Sequence, residues 1–140
     1  QSAYGRGFAT QQPRDGTRIP TLAARFQRVQ ALGAERVRFN IETKLSPLKP
    51  EETASPGQMV SALMRVLRET GMVSRVSIQS FDWRTLQLVQ REEPRIPTVY
   101  LSIQTANNDN IRDGRWTAGF AIADHGSVQP KFCLSKDKTA

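Results

Sequence analysis

The 140-residue sequence has one cysteine, Cys133, and one histidine, His125. A lone thiol excludes an intrachain disulfide framework and a Cys-rich zinc site. A lone imidazole excludes two histidines sharing general acid and base work within this chain, and a His-rich metal centre. No apolar run approaches the roughly 20 residues of a membrane-spanning helix. The stretch from Gln1 to Thr10 lacks the apolar core of a signal peptide, so any such peptide is expected to have been removed already. Acid is scarcer than base, with 13 Asp and Glu against 20 Lys and Arg and a formal net charge of +7. Hydrophobic residues reach 38%, enough with this length for one domain.

The positive charge is uneven. Residues 1–38 carry Arg6, Arg14, Arg18, Arg25, Arg28, Arg36 and Arg38 against Asp15 and Glu35. Arginine suits bidentate contacts to phosphate, and it is equally at home on a solvated surface. No RNP-like aromatic motif, Cys/His finger or basic heptad region accompanies it, so no nucleic-acid partner is expected.

Residues 1–18 read as an irregular N-terminal segment, punctuated by Gly5, Gly7, Pro13 and Asp15-Gly16. Thr21 then caps a helix with a stripe of Leu22, Phe26 and Val29, which Gly33 stops. In residues 37–44, Val37, Phe39 and Ile41 alternate with Arg38, Asn40, Glu42 and Lys44, the period of a strand. Ser55-Pro56 starts a helix with Val60, Leu63, Met64 and Leu67 inward, ended by Gly71. A second strand covers 75–81. Asp82 caps a third helix over 83–91 with Leu86 and Val89 buried, closed by Pro94. A third strand covers 98–102. A polar loop rich in Asn and Asp follows over 104–114, then a short apolar stretch over 116–122 of undefined type. Residues 123–140 form an irregular tail with no recognisable element. Helix and strand alternate throughout, which predicts an α/β fold of parallel strands with helices on one face. No glycine-rich phosphate fingerprint follows any strand, so a Rossmann or P-loop unit is not expected.

The 37–44 strand departs from the doubly apolar pattern of a buried parallel strand. Its four polar side chains must meet water, each other or a ligand, because an unpaired buried charge is costly. A barrel accommodates them, with one strand face on helices and the other toward the interior and its mouth. Glu42 and Lys44 share a face at the C-terminal end, where a carboxylate can hold a divalent cation and an ammonium a phosphate oxygen. The plain alternative is an edge strand whose Glu42 and Lys44 form a weak surface pair. Phe81, at the end of the second strand, either lines a pocket or belongs to the core.

Three runs in this order, Arg18-Ile19-Pro20-Thr21-Leu22, Phe39-Asn40-Ile41-Glu42-Thr43-Lys44 and Val76-Ser77-Ile78-Gln79-Ser80-Phe81-Asp82, resemble the middle of a glycerophosphodiester phosphodiesterase. The resemblance continues through Val99-Tyr100-Leu101 to Trp116-Thr117-Ala118-Gly119-Phe120 and covers roughly residues 10–130. It implies a partial (β/α)8 TIM barrel domain over 19–122, holding the fourth to sixth strands. It also implies hydrolysis of a small-molecule glycerophosphodiester to glycerol 3-phosphate and an alcohol by metal-assisted cleavage, a step in lipid metabolism. By resemblance Glu42 is a ligand of a divalent cation, Ca²⁺ or Mg²⁺. Lys44 contacts the substrate phosphate, and Phe81 lies near the glycerol.

The His-Arg-Gly, Glu-x-Asp and His-Asp motifs of the family's first three strands do not occur. The implied metal site is therefore incomplete, and no catalytic residue is assigned to this chain. A barrel needs about 250 residues, so the expectation is a fragment of a larger enzyme, inactive alone. A truncated product and dependence on a second polypeptide are the alternatives. Exposed strand edges leave a homo-oligomer open. His125 and Cys133 have no assigned role. The rival functional reading is a noncatalytic basic α/β module that binds an anionic partner through the Arg-rich residues 1–38, where Arg25 and Arg28 would matter and Glu42 would not. The resemblance to exported bacterial members points to a periplasmic or secreted location, with a cytoplasmic one as the alternative.

Overall fold

The computed structural model describes residues 3–8, 10–12 and 14–120. His125, Cys133 and the expected tail lie outside the described residues. The elements run α1 (Ala3–Arg6), α2 (Leu22–Ala31), β1 (Phe39–Glu42), α3 (Pro56–Glu69), β2 (Val76–Ser80), α4 (Trp83–Glu92) and β3 (Thr98–Tyr100), with single 3-10 turns at Pro50–Glu52 and Val73–Arg75.

Local chemistry sets the helix ends. Thr21 caps α2 through its hydroxyl, which accepts the Ala24 N–H at 3.2 Å. Ser55 and Gln58 form a reciprocal capping box on α3: the Ser55 hydroxyl accepts the Gln58 N–H at 3.3 Å, and the Ser55 N–H donates to Gln58 Oε1 at 3.0 Å. Both α2 and α3 close in the same way. Gly33 and Gly71 take the left-handed backbone, at φ +63° and +67°. Each glycine N–H then turns back on Gln30 and Arg68, and the next residue's N–H on Val29 and Leu67. A Cβ would strain that conformation, which is why glycine stands at both stops.

The three strands form one parallel sheet in the order β1-β2-β3. Phe39 pairs with Val76 and Glu42 with Gln79, while Ile78 pairs with Thr98 and Ser80 with Tyr100. On β2, Val76, Ile78 and Ser80 are buried, and the alternate residues Ser77 and Gln79 are half-buried. The buried face meets the apolar stripes of α3 and α4, from Val60, Leu63, Met64 and Leu67 to Leu86 and Val89. Phe26 of α2 meets Phe39 of β1 edge to face at 4.9 Å, and Trp83 of α4 meets Tyr100 of β3 at 5.0 Å. Among the described residues, helices thus cover one face and leave the other free, the arrangement of a barrel sector.

Several boundaries differ from the sequence expectations. The first strand is shorter than 37–44, and Val37 lies outside it with 42% of its surface exposed. The cause is a polar clamp. The Arg75 guanidinium donates to the carbonyls of Ala34 and Val37, both at 2.7 Å, and fixes that corner as a turn. The third strand stops at Tyr100, although the Leu101 N–H still donates to the Ser80 carbonyl at 3.0 Å. Within the N-terminal segment expected to be irregular, α1 forms a single helical turn. The apolar stretch from Trp116 turns back through Gly119, whose N–H donates to the Gly114 carbonyl at 2.8 Å.

Ser55→Ala removes half of the capping box and should lower stability by about 1 kcal/mol. Chemical denaturation checks this as a lower midpoint with an unchanged slope.

Candidate active site

At the C-terminal ends of the strands lies a cleft of about 190 Å³. Glu42, Thr43, Lys44 and Leu45 form one wall as β1 runs out, and Phe81 joins them just past β2. The loop after β3 closes the other side with Ile103, Asn108, Asn110 and Trp116. Drug-sized ligands usually take upwards of about 300 Å³. This cleft fits a small polar molecule or one end of a longer one.

The strand pleat explains why Glu42 and Lys44 arrive together. Thr43 between them is 3% exposed and points to the helix side. Its N–H donates to the Gln79 carbonyl at 3.0 Å. The Ser80 hydroxyl donates to the Thr43 carbonyl at 2.6 Å and accepts the Asp82 N–H at 3.1 Å. The Thr85 hydroxyl donates to the Asp82 carbonyl at 2.9 Å, so in the 2.7 Å contact between the threonines it is Thr43 that donates. This buried chain of hydroxyls pins Thr43 inward. Glu42 and Lys44, one residue either side, must then face the cleft together. Two residues beyond the Glu42–Gln79 pair, the same register sets Phe81 opposite Lys44.

Glu42 and Lys44 are both exposed, and no ion pair joins them among the described residues. The weak surface pair considered from sequence is therefore absent there, and each charge remains available to a ligand. Deeper on the same sheet face the polar side chains do meet one another. Asn40 donates to Gln79, and the Ser77 hydroxyl donates to Asn40 Oδ1 at 2.9 Å. Arg38 turns away and donates to the Ser74 carbonyl at 2.7 Å.

The residues present do not by themselves fit a divalent cation. Calcium and magnesium take six or more oxygen ligands. Glu42 is the one carboxylate among the described residues on this cleft, and no group of three metal-ligating side chains forms among them.

Sequence reasoning passed over the loop that closes the cleft. Its tip is a tight turn, with the Thr105 N–H on the Asn108 carbonyl at 2.8 Å and the Asn108 N–H on the Thr105 hydroxyl at 3.0 Å. Gln104 and Asp109 pair across it. Asp109 Oδ1 accepts the N–H groups of Ile111 and Arg112 at 3.0 and 3.1 Å. The Trp116 carbonyl accepts the Trp83 N–H at 2.8 Å and ties the loop to the start of α4. The Asn and Asp richness signalled turns, but nothing in the spacing said that these turns line the same cleft as Lys44.

The sequence pattern of the glycerophosphoryl diester phosphodiesterase family matches residues 3–132. A solved structure from Silicibacter pomeroyi DSS-3, which bears the provisional name of a glycerophosphoryl diester phosphodiesterase, superimposes with a TM-score of 0.64 at 30% sequence identity. The match covers 79% of this chain and 37% of that one, so the chain spans little over a third of that structure's length. No curated protein gives a significant match.

Ser80→Ala leaves the Asp82 N–H and the Thr43 carbonyl each short of a buried partner and should cost about 1–3 kcal/mol. Thr43→Val keeps the shape and removes one hydroxyl, so its cost in the same denaturation series should be smaller, about 1 kcal/mol. The Ile111 N–H, helped by Gln104 and by the Arg112 N–H and guanidinium, holds the Asp109 carboxyl below the usual carboxylate range. A carboxyl lowered on folding stabilises the folded loop above its unfolded value of about 4, and that support fades as the pH falls through the lowered native value. The Ile111 and Arg112 amide proton shifts should stay constant between about pH 5 and 7 and move only below about pH 4.

Proposed function

The chain belongs to the glycerophosphoryl diester phosphodiesterase family, and from that premise we propose that its cleft holds the glycerol phosphate end of a glycerophosphodiester. The observation that carries this reading is the shared orientation of Glu42, Lys44 and Phe81 on one small cleft at the strand ends. Lys44 is the phosphate contact. An ammonium is a compact point charge with three donors, suited to a phosphate oxygen that rotates freely. Phe81 offers an apolar surface to the carbon backbone of glycerol. Glu42 would supply one carboxylate toward a divalent cation, and the described residues on the cleft offer no second one.

The reaction is hydrolysis. Water adds at phosphorus, the bond from phosphorus to the alcohol oxygen breaks, and the departing alkoxide takes a proton. Glycerol 3-phosphate and an alcohol result. Two proton transfers need a base and an acid in place. The described residues on this cleft include a single carboxylate and no histidine. The described residues thus form one section of an active site, and turnover requires further groups.

Lys44→Ala should weaken binding of glycerol 3-phosphate by about tenfold or more, the worth of one charge-assisted hydrogen bond. The double variant Arg25→Ala/Arg28→Ala should leave that affinity unchanged. Calorimetric titration of the 140-residue chain decides between the readings, since a loss confined to the arginine variant would favour a basic docking module. With Ca²⁺ added, the same chain should hydrolyse glycerophosphocholine no faster than buffer, and enzyme-like turnover would overturn the sectional reading.

A further inference from the structure

Asn110 is 5% exposed, forms part of the cleft wall and has a half-used side chain. Its Oδ1 accepts the Ile103 N–H at 2.7 Å, and its own backbone N–H donates to the Ile103 carbonyl at 3.1 Å. The first of these bonds fixes the amide. Turned over, it would set N–H against N–H. The Nδ2 group must then occupy the other branch, and there it is buried with no hydrogen-bond partner among the described residues.

A buried donor left unpaired costs about 1–3 kcal/mol, and folded proteins tolerate few. The loop is also held firmly from both sides, by the Asp109 turn and by the bond from Trp83 to Trp116. An unpaired donor in a residue that walls the cleft with Lys44 and Phe81 is a group that a ligand oxygen satisfies once a small shift of the side chain opens it to the cleft.

We propose that Asn110 is a substrate-binding residue whose Nδ2 group donates to an oxygen of the glycerol phosphate moiety. Both sources of such an oxygen, a phosphate oxygen and a glycerol hydroxyl, are hydrogen-bond acceptors that a neutral amide can hold. The donor carries no charge, so it adds directionality that Lys44, a point charge on a flexible stem, does not supply. Because the ligand satisfies an Nδ2 group that has no partner among the described residues, binding removes a penalty as well as forming a bond. The assignment rests on the glycerol phosphate reading of the cleft and adds a residue from the opposite wall.

Asn110→Asp is the discriminating variant. It keeps an oxygen to accept the Ile103 N–H and removes the Nδ2 donor. Asn108→Asp places the same charge on the same cleft and controls for electrostatic repulsion. In calorimetric titration with glycerol 3-phosphate, Asn110→Asp should lose about tenfold more affinity than Asn108→Asp. Equal losses, or wild-type affinity in Asn110→Asp, would overturn the proposal. Repeating the titration with inorganic phosphate separates the sources. A loss shared by both ligands assigns the phosphate oxygen, and a loss for glycerol 3-phosphate alone assigns the hydroxyl. In the wild-type chain the Asn110 side-chain amide protons should shift and gain protection from exchange on saturation. Unmoved resonances at saturation would also overturn the proposal, and this readout does not depend on a variant folding. If Lys44→Ala weakens binding while Asn110→Asp does not, the cleft reading stands and the Asn110 assignment falls. If the wild-type chain fails to bind glycerol 3-phosphate, both fall.

Discussion

The inward turn of Thr43 is the constraint on which the rest of the site depends. A strand has two faces, and whichever residue points at the helices forces its neighbours the other way. Thr43 is held to the helix side by a closed set of bonds through Ser80, Thr85 and the backbone of Asp82. Every polar atom in that set has a partner, which makes the arrangement specific as well as stable. Had Thr43 faced the cleft, Glu42 and Lys44 would turn to the buried helix side, where two unpaired charges could not persist. The same Ser80 hydroxyl also braces the turn into α4, so the positioning of the cleft and the packing of the helix layer are one structural problem.

That coupling gives the sheet its two characters. One face is apolar and covered by α3 and α4, with β2 supplying Val76 and Ile78 to the core. The opposite face is polar and satisfies itself through Asn40, Ser77 and Gln79. In a closed barrel such a face lines the interior, and the ends of its strands form the mouth. Three strands cannot close. Among the described residues the outer edges of β1 and β3 carry unpaired backbone groups, which in the family architecture meet further strands. The cleft is accordingly a sector of a mouth, with the chemistry of one wall and one loop.

The sequence disclosed the helices and strands well because their signals are local. Thr21, Ser55 and Asp82 announce helix starts by hydroxyl or carboxylate capping, and Gly33 and Gly71 announce stops by left-handed backbone. The 37–44 alternation identified the face that Glu42 and Lys44 share, and the resemblance across three motifs pointed to the family that the pattern match over 3–132 establishes. Misplaced boundaries trace to distant partners. Val37 has the right character for a strand, yet Arg75, 38 residues later, converts its carbonyl into part of a turn. No local pattern carries that information.

What the sequence determined by itself is the periodic content: which residues face a core, where helices begin and end, and that an acid and an amine stand on one strand face. Those features follow from backbone geometry and from hydrogen bonds that span a few residues. Tertiary structure alone decided that Phe81 and Lys44 line one cleft, that the loop through Asn108, Asn110 and Trp116 supplies its other wall, and that the Nδ2 group of Asn110 is buried without a partner among the described residues. Each of these depends on the register between strands and on where a long loop returns. Such contacts are set by the packing of the whole sheet, and side-chain spacing along the chain does not encode them.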